Sequence, residues 1–317
     1  MTTNSTSKTI LLTGATGLVG QAVSDALLKQ GHRVYAILRP RSKALRLATG
    51  VVPLYMDLLH YKETDVARLE AIGPIDGVIH LAGESILGLW TRQKRERIEA
   101  SRVEVTRKLG ELLCALEHPP KVFISASAVG IYGLHQGEAV LNEASAYGDD
   151  FLAHVCHAWE GATELLSHAG IRTVQARFGI ILSRKGGALH AMLPAFKLGL
   201  GGILGNGQQW MSWVHMEDVV GILLHALSHE DVIGAYNVTA PCPERNVDFT
   251  TQLGERLKRP TPFPVPTFLL KYGTQGMGES LLLASQRCSS ERIMATGYAF
   301  IFSDLASALT DLIPPTN

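Results

Sequence analysis

The hydrophobic positions follow two alternating periods. Short, nearly continuous apolar runs read as buried strands: Ile10-Leu11-Leu12, Val34 to Leu38, Val51 to Tyr55, Asp76 to Leu81 and Lys121 to Ala126. Between them apolar residues recur every three or four positions. Leu18 to Gln30 reads as an amphipathic helix closed by Gly31, and Arg92 to Leu116 as one long helix carrying Ile98, Val103, Val105, Leu109, Leu112 and Leu113. The alternation continues with a helix over Phe151 to Ala169, whose stripe is Leu152, Val155, Cys156, Trp159, Thr163 and Leu166, and a strand over Ile171 to Ile181. A strand over Tyr236 to Thr239 and a helix over Val247 to Lys258 follow. Strands alternating with helices predict an α/β fold, a Rossmann-type doubly wound parallel sheet with helices on both faces.

The pattern weakens in the second half. From Gly186 to Gly207 the composition shifts to Gly, Leu and Ala around an amphipathic piece, Ala188 to Leu198, and Pro260, Pro262, Pro264 and Pro266 mark an irregular connection. The expected division is a nucleotide-binding domain over residues 1–180 and a smaller C-terminal substrate lobe over 181–317, with some later strands and helices returning to the first core.

A chain of 317 residues with 46% hydrophobic content can bury a large core. Lys plus Arg equals Asp plus Glu, which removes any bulk field for nucleic acid or an anionic membrane. No apolar run is long enough to span a bilayer, and the N-terminal MTTNSTSK is polar with no apolar signal core. Four cysteines (Cys114, Cys156, Cys242, Cys288) lie far apart and form no CxxC pair, as expected of reduced thiols in a cytoplasmic protein.

The candidate chemistry begins at Thr9 to Gly20, TILLTGATGLVG, where the first strand meets glycines at 14, 17 and 20 just before a helix. A helix start attracts a pyrophosphate through its free N–H groups and its dipole. Gly14 is expected to make the sharp turn, Gly17 to let phosphates approach the backbone, and Gly20 to let the helix lie close on the strand. Thr13, Thr16, Leu18 and Val19 complete this cradle. After the second strand come Arg39, Arg41 and Lys43, where an NAD-binding turn usually offers a carboxylate to the adenosine ribose. Cations there suit the 2′-phosphate of NADP(H), although a solvated basic turn reads the same way. Asp57, followed by Leu58, is placed either to meet the adenine amino group or to cap a helix. Ala82-Gly83 form a small-residue turn after the fourth strand, with room for the cofactor's ribose and phosphates, and Leu81 and Glu84 beside it are also candidate cofactor contacts. All these features lie at strand C-terminal ends, where open α/β sheets bind ligands.

TGATGLVG, Asp57, HLAG at 80–83, SASAVGIYG at 125–133 and SWVHMEDVV at 212–220 together resemble the extended short-chain dehydrogenase/reductase superfamily. LAGESI at 81–86, WTRQKRERIEASRVEVTRKL at 90–109, Trp159-Glu160, the long stretch 186–223 and the tail 277–300 resemble one branch of it, the epimerase-family proteins of the YfcH/SDR39U1 type. That resemblance implies the NADP-binding fold and a family-specific C-terminal extension more than it implies a reaction. It also implies a possible dimer through the 92–116 and 151–169 helices, so monomer and homodimer both stay open.

The superfamily works with a Ser/Thr and a YxxxK pair, in which the Lys lowers the Tyr pKa and holds the nicotinamide ribose. A free Tyr, with pKa about 10, moves protons poorly near neutrality. This chain has eight tyrosines, and none is followed four residues later by Lys. No Lys occurs between Lys121 and Lys185. Counting back from Glu160, which resembles the Glu four residues after that Lys, puts Leu152 and Cys156 at the Tyr and Lys positions, and Tyr132-Gly133 puts Ala128 at the Ser position. Ser127, Tyr132 and Cys156 are therefore the candidate catalytic residues, with Tyr147, His154 and His157 nearby. Two functions follow: an NADP(H)-dependent oxidoreductase or epimerase-like protein acting on an unknown small molecule, or a non-catalytic NADP(H)-binding regulator.

The substrate pocket is expected among Trp90, Arg177, Trp210, Trp213 and His215, beside the glycine-rich loop. His215, Glu217 and Asp218 look like a metal cluster only superficially, since they sit at a helix start where carboxylates are favoured; no metal is expected.

Overall fold

A computed structural model describes residues 7–40, 46–262, 264–268 and 276–314. The elements in chain order are β1 (Thr9–Thr13), α1 (Leu18–Lys29), β2 (Arg33–Leu38), β3 (Val52–Tyr55), α2 (Glu63–Glu70), β4 (Gly77–His80), α3 (Arg92–Ala100), α4 (Val103–Cys114) and β5 (Val122–Ala128). There follow β6 (His135–Leu141), α5 (Phe151–Gly161), α6 (Glu164–His168), β7 (Arg172–Phe178), β8 (Ile180–Leu182), α7 (Gly187–Lys197), β9 (Trp210–Met211), β10 (Trp213–His215) and α8 (Met216–Ser228). The last are β11 (Gly234–Val238), β12 (Glu244–Arg245), α9 (Asn246–Leu257), α10 (Met277–Leu282), β13 (Ser285–Cys288), α11 (Glu291–Ala295) and α12 (Leu305–Leu312).

Seven parallel strands form the main sheet in the order β11-β7-β5-β4-β1-β2-β3. This is the doubly wound arrangement, and the strand order reverses between β1 and β4. The runs Ile10-Leu11-Leu12 and Val78-Ile79 are fully buried, as strands covered on both faces must be. One face packs on α1 and α8 through Val23, Leu27, Ile222 and Leu223; the other packs on α4 through Leu109, Leu112 and Leu113. Strand β11 and helix α8, both beyond residue 180, thus belong to the main sheet and its cover.

Three long elements of the sequence reading are each broken in two. The 92–116 helix ends at Ser101, whose Oγ donates to the Ile98 carbonyl, while Arg102 Nη1 donates to the same carbonyl; these bonds take up the last turn of α3. The 151–169 helix breaks where Thr163 Oγ1 donates to the Glu160 carbonyl and accepts from Gln175 Nε2. The 171–181 strand leaves the main sheet at Gly179, where a Cβ would strike the Ser212 carbonyl oxygen, and β8 pairs instead with β10. The small pairings β6 with β13 and β9 with β12 had no signal in the periodicity, because each is only a few residues long or carries polar side chains outward.

Candidate functional site

The groove lies over the ends of β1 and β4. Gly14 has φ +71, a left-handed conformation that favours glycine, and a Cβ there would come within 2.5 Å of the Leu81 carbonyl oxygen. A Cβ on Gly20 would run into the Gly14 carbonyl, so α1 can lie this close to β1 only without one. Gly17 is the N-cap of α1 and offers no side-chain acceptor, which leaves the first N–H groups of the helix free for a ligand. Gly186 and Gly187 of the second half come up against the Leu18 side chain. Backbone shape and open donors therefore fit a pyrophosphate.

The floor is pinned by a buried chain of hydroxyls and rings that the sequence reading missed. Thr13 Oγ1 accepts from the Leu81 and Ala82 N–H groups, both at 3.2 Å, so its own proton goes to His80 Nδ1 at 2.7 Å. His80 Nε2–H and the Trp159 indole N–H then both donate to Thr106 Oγ1 at 2.9 Å, and Thr106 donates to the Arg102 carbonyl at 2.5 Å. Every member is satisfied with a neutral ring, and burial drives the His80 pKa down to about 3.

Around the groove, Arg39 is exposed at the end of β2, close enough for its charge to act on Glu84; Arg41 and Lys43 lie outside the described residues. Asp57 caps the short turn Leu58–His60 by accepting from Leu59 N at 3.1 Å, while Leu58 itself is buried. The Glu84 carboxylate is taken by Lys94 Nζ at 2.8 Å, with Arg97 at 3.8 Å, and this hydrogen bond holds its pKa below the usual range.

The counted positions Ala128, Leu152 and Cys156 do converge. Asp150 caps α5 through the Leu152 and Ala153 N–H groups, which sets Leu152 and Cys156 one turn apart on the same helix. Leu152 lies against Gly130 and the Trp90 cluster, and the Cys156 thiol reaches the Ala128 backbone. Burial pushes that thiol up to about 12, so it is a small packed side chain and a poor nucleophile at neutral pH.

Ser127, Tyr132 and Arg177 are also brought together, but away from an open surface. Ser127 Oγ donates to Glu160 Oε1 at 2.6 Å. Arg177 donates from Nε and Nη2 to the two Glu160 oxygens, each at 2.8 Å, and from Nη1 to the Tyr132 hydroxyl at 2.9 Å. Tyr132 donates to Asn237 Oδ1 at 2.7 Å, and burial raises its pKa. Each is at most 2% exposed. The expectation that Arg177 lines the substrate pocket is corrected by this arrangement: its charge is already neutralised by Glu160 inside the protein.

The remaining pocket residues do not form one wall. Trp90 is buried with Ile98 and Val155, and its indole donates to the Ile86 carbonyl at 2.7 Å. Trp213 is fully buried in a second cluster with Leu182 and Phe249, its indole donating to the Cys242 carbonyl. His215 caps α8 by accepting from Glu217 N, and its ring packs 3.9 Å from Phe302. Trp210 alone is part-exposed; its indole donates to Glu138 and its ring lies between the Arg245 and Arg287 guanidinium groups, at 4.4 and 4.6 Å. Tyr147 and His157 are exposed, with ring centres 4.6 Å apart, and His154 is exposed on α5. Among the described residues no group of three or more His, Cys, Asp or Glu side chains is placed to hold a metal, and no helix is long and apolar enough to cross a membrane.

Residues 10–239 match the NAD dependent epimerase/dehydratase family, and residues 265–312 match a domain of unknown function, DUF1731. The epimerase family protein YfhF of Bacillus subtilis is 36% identical over 96% of this chain and 97% of its own length. The chloroplastic SDR39U1 homolog of Arabidopsis thaliana is 35% identical over 95% and 85%. The human epimerase family protein SDR39U1, solved with NADPH, superposes with a TM-score of 0.84 and 31% identity over 96% of this chain and 99% of that one. A UDP-glucuronic acid 4-epimerase from Bacillus cereus, at 18% identity and TM-score 0.75, shares the fold. The glycine groove, the seven-stranded sheet and these matches agree: the chain belongs to the NAD dependent epimerase/dehydratase family.

Proposed function

We propose that this protein binds NADP(H) and uses it in a redox step on a small molecule, without the tyrosine–lysine proton relay of its superfamily. The observation that carries the reading is the groove formed by Gly14, Gly17 and the open start of α1, where a Cβ at Gly14 would strike the Leu81–Ala82 backbone. Arg39 at the end of β2 supports the phosphorylated dinucleotide, as does the NADPH held by the human relative. When bound, the dinucleotide supplies a hydride or accepts one. The chain's own residues orient it: the α1 N–H groups take the pyrophosphate, and Thr13 and His80 fix the β1–β4 ends beneath it. The wall formed by Ala128, Leu152 and Cys156 excludes water and moves no proton.

That apolar wall also favours a second reading, an NADP(H)-binding regulator that reports the state of the cofactor without turnover. Incubation with 4-deuterated NADPH and a panel of carbonyl compounds separates the two. The redox reading expects deuterium in at least one product. Tight NADPH binding with no transfer to any panel member would leave the regulator.

A further inference from the structure

Arg102 lies beside the turn that follows β4. It stands at the break between α3 and α4, and its Nη1 donates to the Glu84 and Ile98 carbonyl oxygens, both at 3.0 Å. Its guanidinium lies over the Trp159 indole, 5.2 Å from the ring centre. It also lies directly beside the Gly83 turn: a Cβ on Gly83 would sit 3.3 Å from Cζ and 3.4 Å from Nη2. Nε and Nη2 enter none of the hydrogen bonds found among the described residues. The side chain is thus held by one nitrogen and by its flat face, with two donors left over at the strand-order reversal where a dinucleotide crosses the sheet.

The counted lysine position lacks a cation of its own. Cys156 occupies it, and its thiol feels the Arg102 charge. A half-buried guanidinium is a suitable replacement, because it stays charged and its planar fork is pre-organised for two acceptors. We propose that Arg102 donates from Nε and Nη2 to the ribose next to the nicotinamide of bound NADP(H), supplying from the α3–α4 junction the positive charge that a lysine on α5 would otherwise supply. This rests on the reading that the groove binds NADP(H).

The test compares NADPH with 2′,5′-ADP, which carries the 2′-phosphate but neither nicotinamide nor its ribose. Both are titrated into the wild-type chain and into Arg102→Gln and Arg102→Lys. Charged hydrogen bonds contribute about 1.5–3 kcal/mol, so Arg102→Gln is expected to weaken NADPH by roughly tenfold or more while leaving 2′,5′-ADP unchanged. Arg102→Lys is expected to recover much of the loss. Unchanged NADPH affinity in Arg102→Gln, or an equal loss for both ligands, overturns the assignment. Failure of the wild-type chain to bind NADPH at all overturns the reading beneath it instead. Should Arg102→Gln not fold, phenylglyoxal labelling of the wild-type protein decides: Arg102 is expected to be protected by NADPH and not by 2′,5′-ADP, and equal labelling in both overturns the proposal.

Discussion

Arg177 on β7 and Glu160 on α5 face each other through two parallel hydrogen bonds, Nε to Oε1 and Nη2 to Oε2, both 2.8 Å, with the arginine side chain only 2% exposed. Burial pulls the guanidinium pKa down, but Glu160 and the Tyr132 hydroxyl together outweigh it and the pKa ends raised. Glu160→Gln leaves that buried charge unpaired and is expected to destabilise the fold by about 3–5 kcal/mol. Urea unfolding measures this. A loss under about 1 kcal/mol, the value of an exposed pair, would contradict the geometry.

The three glycines of the first turn should separate into different phenotypes. Gly17→Ala meets only the Gly14 carbonyl, at 3.2 Å, so folding should be nearly unchanged while NADPH binding falls sharply. Gly14→Ala and Gly20→Ala place the new atom against backbone and should lower thermal stability as well. Titration with NADPH beside a melting curve tells them apart; equal melting temperatures for all three would refute the assignment of roles.

Of the three cations proposed for the 2′-phosphate, Arg39 is the one among the described residues. Arg39→Ala is expected to weaken NADPH by roughly tenfold and to leave NADH little changed, since one charge-assisted bond contributes about 1.5–3 kcal/mol. If wild type already prefers NADH, the assignment is wrong.

His80 gives the fold a pH dependence with a definite sign. The unfolded ring takes a proton near pH 6.5, and the native ring, lowered by burial, near pH 3. Its contribution is therefore fully present above about pH 6.5 and is lost as the pH falls towards 3. Within that window stability drops by about 1.4 kcal/mol per pH unit from this residue. His80→Gln should be less stable at pH 7 but show a flatter decline between pH 6 and 4. Parallel curves for the two proteins would show that the ring does not stay neutral.

The sequence carried the sheet and the groove because both depend on local signals. Apolar runs mark buried strands, and Gly14, Gly17 and Gly20 mark turns that exclude side chains. The loss of the Tyr–Lys pair was equally legible, since it needed only a count. The helix breaks at Ser101 and Thr163 were not, because each is made by a hydroxyl bonding back to a carbonyl within an otherwise helical pattern. Nor could the roles of Arg177, Trp213 and His215 be read, because an aromatic or charged residue at a strand end looks the same whether it meets a ligand or a buried partner. Arg102 was missed for the opposite reason. Inside the expected 92–116 helix it reads as surface charge, and only the fold lays it beside Gly83.

The place of β11 bears on how the chain is made. Residues 234–238 pair with β7 only after the ribosome has produced the loops, small strands and helices between them. Until then β7 is an open edge, a row of unpaired amides able to recruit another strand. The glycine turn from Gly14 to Gly20 is thus encoded early, yet the sheet behind it is completed late. A nascent chain halted near residue 180 should stay aggregation-prone, and the cofactor can act as a template for folding only on a nearly full-length polypeptide.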